Sequence, residues 1–191
     1  MTGSLGEPAN GTAAPLAQAT CGTVRGRHRR GIELFAGIPY AEPPVGERRF
    51  AAPIPHEPWD GVRDALRFGK AAPQLPGEGL TNQVPVPWNE DCLTLNVVTP
   101  AADDARRPVY VWIHGGAYQH GQGATPWYDG TSFATRGDIV VVTINYRLGA
   151  LGFCDLAGHL GDDFATCGIN GTLDQVAALQ WVHENIEAFG G

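Results

Sequence analysis

Apolar positions concentrate in a few short runs. Val109 to Ile113 (Val-Tyr-Val-Trp-Ile) and Ile139 to Ile144 (Ile-Val-Val-Val-Thr-Ile) are apolar or β-branched on successive residues, the pattern of strands covered on both faces. Asp91 to Thr99 alternates, which puts Leu93, Leu95 and Val97 on one face of a third strand. Between the two unbroken runs, Thr131 to Arg136 has the composition of a short helix, with Gly137 to end it. Strand, crossover helix and strand predict a parallel pair with a right-handed connection. Helical spacing returns near the C-terminus, where Leu173, Val176, Ala177, Gln180 and Trp181 fall on one face. Thr172-Leu173-Asp174-Gln175 reads as a capping box at its start, and Gly190-Gly191 ends it. The class is α/β.

The rest is punctuated by glycine and proline. Residues 1–19 are rich in Gly, Ala and Pro without periodicity and read as a flexible tail, with the folded domain over 20–191. Gln18 to Val24 and Ile32 to Phe35 read as the strands of one hairpin, joined by a basic turn containing Arg25, Arg27, His28, Arg29 and Arg30. From Phe50 to Asn89 frequent prolines exclude a helix. Trp59, Phe68 and Trp88 call for burial there, so this is an ordered wrap rather than a linker. Asn145 to Gly171 reads as loop.

Composition narrows the function classes. A net charge of −7 argues against nucleic acid or an anionic membrane as partner. The basic cluster near residue 27 reads as a solvated turn. Four scattered cysteines, without Cys-x-x-Cys or close Cys/His spacing, give no metal site. The first twenty residues lack the basic and apolar regions of a secretory signal, and no run reaches membrane-spanning length. Cytoplasmic residence with reduced thiols is the expectation.

Candidate chemistry lies where the run Val109–Ile113 stops at His114-Gly115-Gly116-Ala117. Two glycines after a strand let the backbone turn sharply and point N–H groups at one spot, which acyl transfer requires around a developing oxyanion. By itself the stretch reads first as an ordinary strand-to-loop turn.

The chain resembles the N-terminal part of the type-B carboxylesterases, the α/β-hydrolase family of para-nitrobenzyl esterases and cholinesterases. The resemblance is carried by Phe35-Ala36-Gly37-Ile38-Pro39-Tyr40-Ala41, Pro43-Pro44-Val45-Gly46 with Arg49-Phe50, and Glu90-Asp91-Cys92-Leu93-Thr94-Leu95-Asn96. It continues through Trp112 to Tyr118, Asn145-Tyr146-Arg147-Leu148-Gly149, and Asp174-Gln175 to Phe189-Gly190-Gly191. It implies a partial α/β-hydrolase fold: an N-terminal β-hairpin, then a mostly parallel sheet with crossover helices, lacking the nucleophile strand and all later elements. It implies an oxyanion hole at Gly115, Gly116 and Ala117, with Gly116 and Ala117 as N–H donors, Gly115 permitting the turn and His114 shaping the loop. It also implies structural ion pairs, Arg49 with Glu90 and Arg147 with Asp174. The substrate class implied is a small carboxylic ester, with no cofactor and no metal. Where many secreted relatives pair the cysteine at position 92, no partner stands in residues 70–74, so Cys92 is expected to be a free, buried thiol.

Such enzymes attack through a serine in a Gly-x-Ser-x-Gly elbow, assisted by a histidine and an acid. This sequence has only Ser4 and Ser132. Ser132 lies in Gly-Thr-Ser-Phe-Ala, which comes after no strand, and none of the six histidines has a recognisable partner. The chain by itself is therefore expected to be inactive. A non-catalytic binding module, or one half of a split esterase, are the other readings. Without a further strand, Val109–Ile113 would offer an apolar edge for self-association.

Overall fold

The computed structural model describes residues 13–75 and 87–191. Expectations for residues 1–12 and 76–86 lie outside these. Eight strands form two sheets. β1 (Leu16–Ala19), β2 (Gly22–Arg25) and β5 (Val62–Asp64) make a small one, in the order β1-β2-β5. The main sheet holds β3 (Arg27–Arg29), β4 (Ile32–Pro39), β6 (Thr94–Thr99), β8 (Val140–Ile144) and β7 (Val109–Ile113), in the order β3-β4-β6-β8-β7. β7 and β8 run parallel in the register Val109↔Val140 to Ile113↔Ile144, with helix α1 (Thr131–Gly137) in the crossover. The helix stops because Asp138, not Gly137, turns left-handed, at φ 51°.

The sheet is otherwise antiparallel, which corrects the expectation of a mostly parallel one. β7-α1-β8 is its one strand–helix–strand crossover among the described residues. The other neighbours are joined by a tight hairpin or by long segments that leave direction free. The N-terminal region holds two hairpins rather than one. β1 and β2 turn at Thr20-Cys21, and of the basic residues expected in a turn Arg27, His28 and Arg29 form β3, Arg25 ends β2 and Arg30 stands in the β3–β4 turn. β1 also corrects the extent of the tail, since Ala17 and Ala19 within it are buried. β4 runs to Pro39 through a bulge at Gly37. There φ is 78°, and a Cβ would stand 2.5 Å from the Arg67 carbonyl oxygen, so glycine is required.

β8 lies between β6 and β7 and all five of its residues are buried, as its unbroken apolar run requires. Leu95 and Val97 face the larger core with Phe35, Val140, Val142 and Phe189. Leu34, Val98 and Val141 face the other way, with Ala134 of α1. β7 is the edge strand among the described residues, as expected, but it is not covered on both faces: Tyr110 and Ile113 are exposed. Phe68 and Trp88 are exposed as well, and only Trp59 packs against the core.

The segment expected to be loop after residue 145 contains two short helices, α2 (Gly149–Phe153) and α3 (Ala157–Leu160). The long helix α4 (Asn170–Asn185) begins before the expected capping box. Thr172 lies inside its first turn and exposed, with no side-chain cap at the N-terminus. The N-terminal turn is held by Asn170, which donates to the Phe50 carbonyl at 2.8 Å and accepts from the Thr166 hydroxyl at 3.0 Å. The buried face is Asp174, Ala178, Trp181, Val182 and Asn185, rotated from the expected one. Val176 is exposed. A 3-10 turn over Ile186–Phe189 comes next, and Gly190, left-handed at φ 82°, closes it.

Candidate functional site

At the C-terminal ends of β7 and β8 the backbone leaves regular structure. The left-handed torsions after β7 belong to Gly116 (φ 123°), Ala117 (φ 53°) and Tyr118 (φ 60°). Gly115, expected to permit the turn, has no positive φ. Two successive non-glycine residues in this region are strained, and such strain persists only where the surroundings over-determine it. Gly116 cannot be replaced without displacement, because a Cβ there would collide with the His120 carbonyl oxygen.

The surroundings hold this turn from every side. The Gln119 and His120 N–H groups both return to the Gly116 carbonyl, at 3.0 and 3.2 Å. The Tyr118 carbonyl accepts from the Gly149 N–H at 2.7 Å, and the Tyr118 ring lies 4.7 Å from that of Phe153. Gln74 clamps the far end of the loop, accepting from the Gly121 N–H at 2.8 Å and donating to the Gly121 carbonyl at 2.9 Å. Among the described residues, the N–H groups of Gly116 and Ala117 donate to no protein acceptor. Ala117 is exposed and Gly116 partly so.

His114 is buried. Its Nδ1 lies 3.0 Å from the Gly115 carbonyl, an acceptor only, so this nitrogen carries the proton of the neutral ring. Burial holds its pKa below the ordinary histidine value, the bond to Gly115 opposes this, and nearby His120 adds to the lowering. The ring stacks on Tyr146 with centroids 4.4 Å apart, and the Tyr146 hydroxyl donates to the His114 carbonyl at 2.7 Å. His114 is thus a packed neutral ring at the base of the turn.

Residues 145–147 each tie this region to a different part of the chain. Asn145 accepts from the Gly123 N–H at 2.7 Å and donates to the Lys70 carbonyl at 2.9 Å. Tyr146 holds His114. Arg147 and Asp174 are almost fully buried and make a bidentate pair at 2.7 and 2.8 Å. A remaining Arg147 nitrogen donates to the carbonyls of Ala51 (2.7 Å) and Arg49 (3.3 Å). Arg49 pairs with Glu90 at 2.9 Å, half-exposed. The two pairs therefore grip the same stretch of chain on the scaffold side, apart from the turn. Gln74, Asn145 and Tyr146 were not singled out as site residues from the sequence. Asn145 and Tyr146 stand in the motif with Arg147, whereas nothing in the sequence marks Gln74.

Ser132 is an exposed residue of α1, not the tip of a strand-to-helix turn. Among the described residues no three His, Cys, Asp or Glu side chains gather as a metal site, and no helix is long and apolar enough to cross a membrane. Beside the turn lies an open hollow of about 680 Å³ whose lining includes Gln74, Trp88, His120, Leu148 and Leu151.

A sequence model of the Carboxylesterase family matches residues 13–191. The chain belongs to the carboxylesterase family. It is 48% identical over 181 residues to the phenmedipham hydrolase of Pseudarthrobacter oxydans, which covers 93% of this chain and 35% of that protein. It is 47% identical over 172 residues to the para-nitrobenzyl esterase of Bacillus subtilis, covering 89% and 34%. The solved carboxylesterase of Geobacillus stearothermophilus superposes with a TM-score of 0.85 at 51% identity, over 92% of this chain and 35% of the other. The fold is the N-terminal part of an α/β-hydrolase, and the chain spans about a third of the length of these carboxylesterase relatives.

Proposed function

We propose that this chain contributes the oxyanion-hole loop of a serine carboxylesterase acting on small carboxylic esters. The observation that carries the proposal is the turn after β7. The Gly116 and Ala117 N–H groups have no protein acceptor among the described residues, and the left-handed turn presenting them is fixed by Tyr146, Gly149 and Gln74. Fixed donors stabilise a tetrahedral oxyanion without reorganising as charge develops. The attacking serine is not Ser132, whose helix comes after a loop rather than a strand. The 191-residue chain alone therefore turns over no ester. His114 shapes the loop and moves no proton, because its ring is buried and its Nδ1 is engaged. A cytoplasmic, reducing setting belongs to the same proposal, supported by four free cysteines.

The test joins residues 13–191 to the C-terminal remainder of the Bacillus subtilis para-nitrobenzyl esterase. The chimera is expected to hydrolyse a para-nitrophenyl ester, and Gly116→Ala, which keeps its N–H but displaces it because the Cβ cannot fit against the His120 carbonyl, to lower its kcat by about 10²–10³, the effect of losing one donor. An unchanged kcat in that variant would remove the assigned role. Turnover by the 191-residue chain alone that Ser132→Ala abolishes would overturn the proposal.

A further inference from the structure

The turn after β7 lies against residues 70–75, the start of the irregular wrap. Among the described residues no backbone hydrogen bond joins that strap to residues 114–125. Two side-chain amides make the connection instead. Gln74 accepts from the Gly121 N–H at 2.8 Å and donates to the Gly121 carbonyl at 2.9 Å, so it meets both backbone groups of one residue. Asn145 accepts from the Gly123 N–H at 2.7 Å and donates to the Lys70 carbonyl at 2.9 Å.

The Gln74 amide has one orientation. Its Nε2 also donates to the Ala72 carbonyl at 3.1 Å, so a flipped amide would set its oxygen against two carbonyls. The strap is fixed just before it. The buried Ala71 donates to the Pro87 carbonyl at 3.2 Å and accepts from the Asn89 N–H at 3.0 Å.

Gly121 is packed against the residues that precede the free donors. A Cβ there would collide with His114 Nδ1 and stand 2.6 Å from the Gly115 carbonyl oxygen. Gly116 is packed as tightly on the His120 carbonyl. No side chain cushions the two passes of this loop, so a shift of Gly121 is carried to Gly115 and on to the Gly116 and Ala117 N–H groups.

Burial separates the two amides. Asn145 is 3% exposed, its carbonyl accepts from the Tyr40 hydroxyl at 2.7 Å, and its N–H donates to the Thr94 carbonyl at 2.9 Å. Without its side chain the buried Gly123 N–H has no partner, which destabilises the fold. Gln74 and Gly121 are both partly exposed, so water can replace their bonds to each other. Water satisfies a backbone group without fixing where it stands.

We propose that Gln74 is a positioning residue for ester hydrolysis. From the strap, through Gly121, it sets where the Gly116 and Ala117 N–H groups stand, whereas Asn145 serves stability. This rests on the reading of those two groups as oxyanion donors.

The test uses the chimera, with Gly116→Ala beside it. Gln74→Met keeps the length of the side chain and removes its bonds. It is expected to lower kcat by about 10–10², since a misplacement of ~1 Å can cost 10²-fold, with KM unchanged and the melting midpoint close to the parent's. Affinity for a trifluoromethyl ketone, whose serine adduct places an oxyanion before the donors, should fall by the same factor, because the ground state does not depend on them. Asn145→Ala should lower the midpoint well below that of Gln74→Met. If Gln74→Met leaves kcat and inhibitor affinity unchanged while Gly116→Ala lowers kcat, the inference falls and the oxyanion reading stands. If neither variant lowers kcat, both fall. A Gln74→Met midpoint as low as that of Asn145→Ala shows a structural role and also overturns the inference. The 191-residue chain gives a second measurement that needs no chimera. In its amide NMR spectrum Gln74→Met should move the Gly116 and Ala117 resonances, and unmoved resonances would overturn the proposal.

Discussion

The Tyr146 hydroxyl donates to the His114 carbonyl at 2.7 Å in a buried site, while the two rings stack 4.4 Å apart. One residue thus holds both the backbone and the side chain at the base of the turn. Burial, with Tyr118 and Tyr128 nearby, pushes the phenol up to about 12, so it remains a donor at any ordinary pH. Tyr146→Phe keeps the stacking and orphans the carbonyl. It is expected to lower stability by about 1–3 kcal/mol, the usual effect of a buried acceptor left unpaired. A denaturant melt with an unchanged midpoint would show that the bond contributes nothing.

Arg147 and Asp174 leave each other no neutral exit. Asp174→Ala strands a buried guanidinium and is expected to destabilise the fold by about 3–5 kcal/mol. Arg147→Lys should also be strongly destabilising, since an ammonium cannot match both carboxylate oxygens and still reach Ala51. The double change Arg147→Met with Asp174→Leu removes both charges and should recover part of the loss. Full recovery is not expected, because the Ala51 carbonyl stays unpaired. Equal melting temperatures for Asp174→Ala and the parent would contradict a buried, mutually dependent pair.

The same pair explains where sequence reasoning stopped short. Unbroken apolar runs located β7 and β8, and alternation located β6, although of the two runs only β8 is buried throughout and β6 is buried on both faces. The orientation of α4 was not legible. Asp174 turns inwards for a partner 27 residues away, which carries Leu173 and Val176 off the core and defeats a reading based on apolar spacing. For the turn, the glycine pair was visible, but the torsions fall at Gly116, Ala117 and Tyr118 rather than at Gly115. Ala117 and Tyr118 have no intrinsic preference for that region; distant contacts such as Tyr118 with Gly149 hold them there. Gln74 makes its contacts with Gly121 across 47 positions, beyond any local pattern.

His114 gives stability a definite pH dependence. Its folded pKa lies below the unfolded value of about 6.5, so in acid the unfolded chain binds a proton that the folded chain refuses. This contribution is complete above about 6.5 and is lost as pH falls from there towards the depressed folded value. His114→Asn can keep a donor to Gly115 but does not titrate. Its stability should therefore fall less steeply than the parent's across this window, as measured by urea melts at a series of pH values. Parallel curves would mean that His114 is protonated alike in both states.

The four cysteines should separate by reactivity. The thiolate is the reacting form, so burial protects both by blocking access and by raising the pKa. Burial pushes the Cys92 thiol far up, with the Asp174 charge adding to it, and burial raises Cys21 as well. Cys167 is buried, and its sulfur accepts from the Leu156 N–H at 2.9 Å. Cys154 alone is partly exposed. In the native protein an aromatic disulfide reagent is expected to label Cys154 first and the other three only once denaturant is added. Cys154→Ala should remove the native phase. Rapid native labelling of Cys92, located by peptide mass, would show instead that the core around Asp174 opens on the timescale of the reaction.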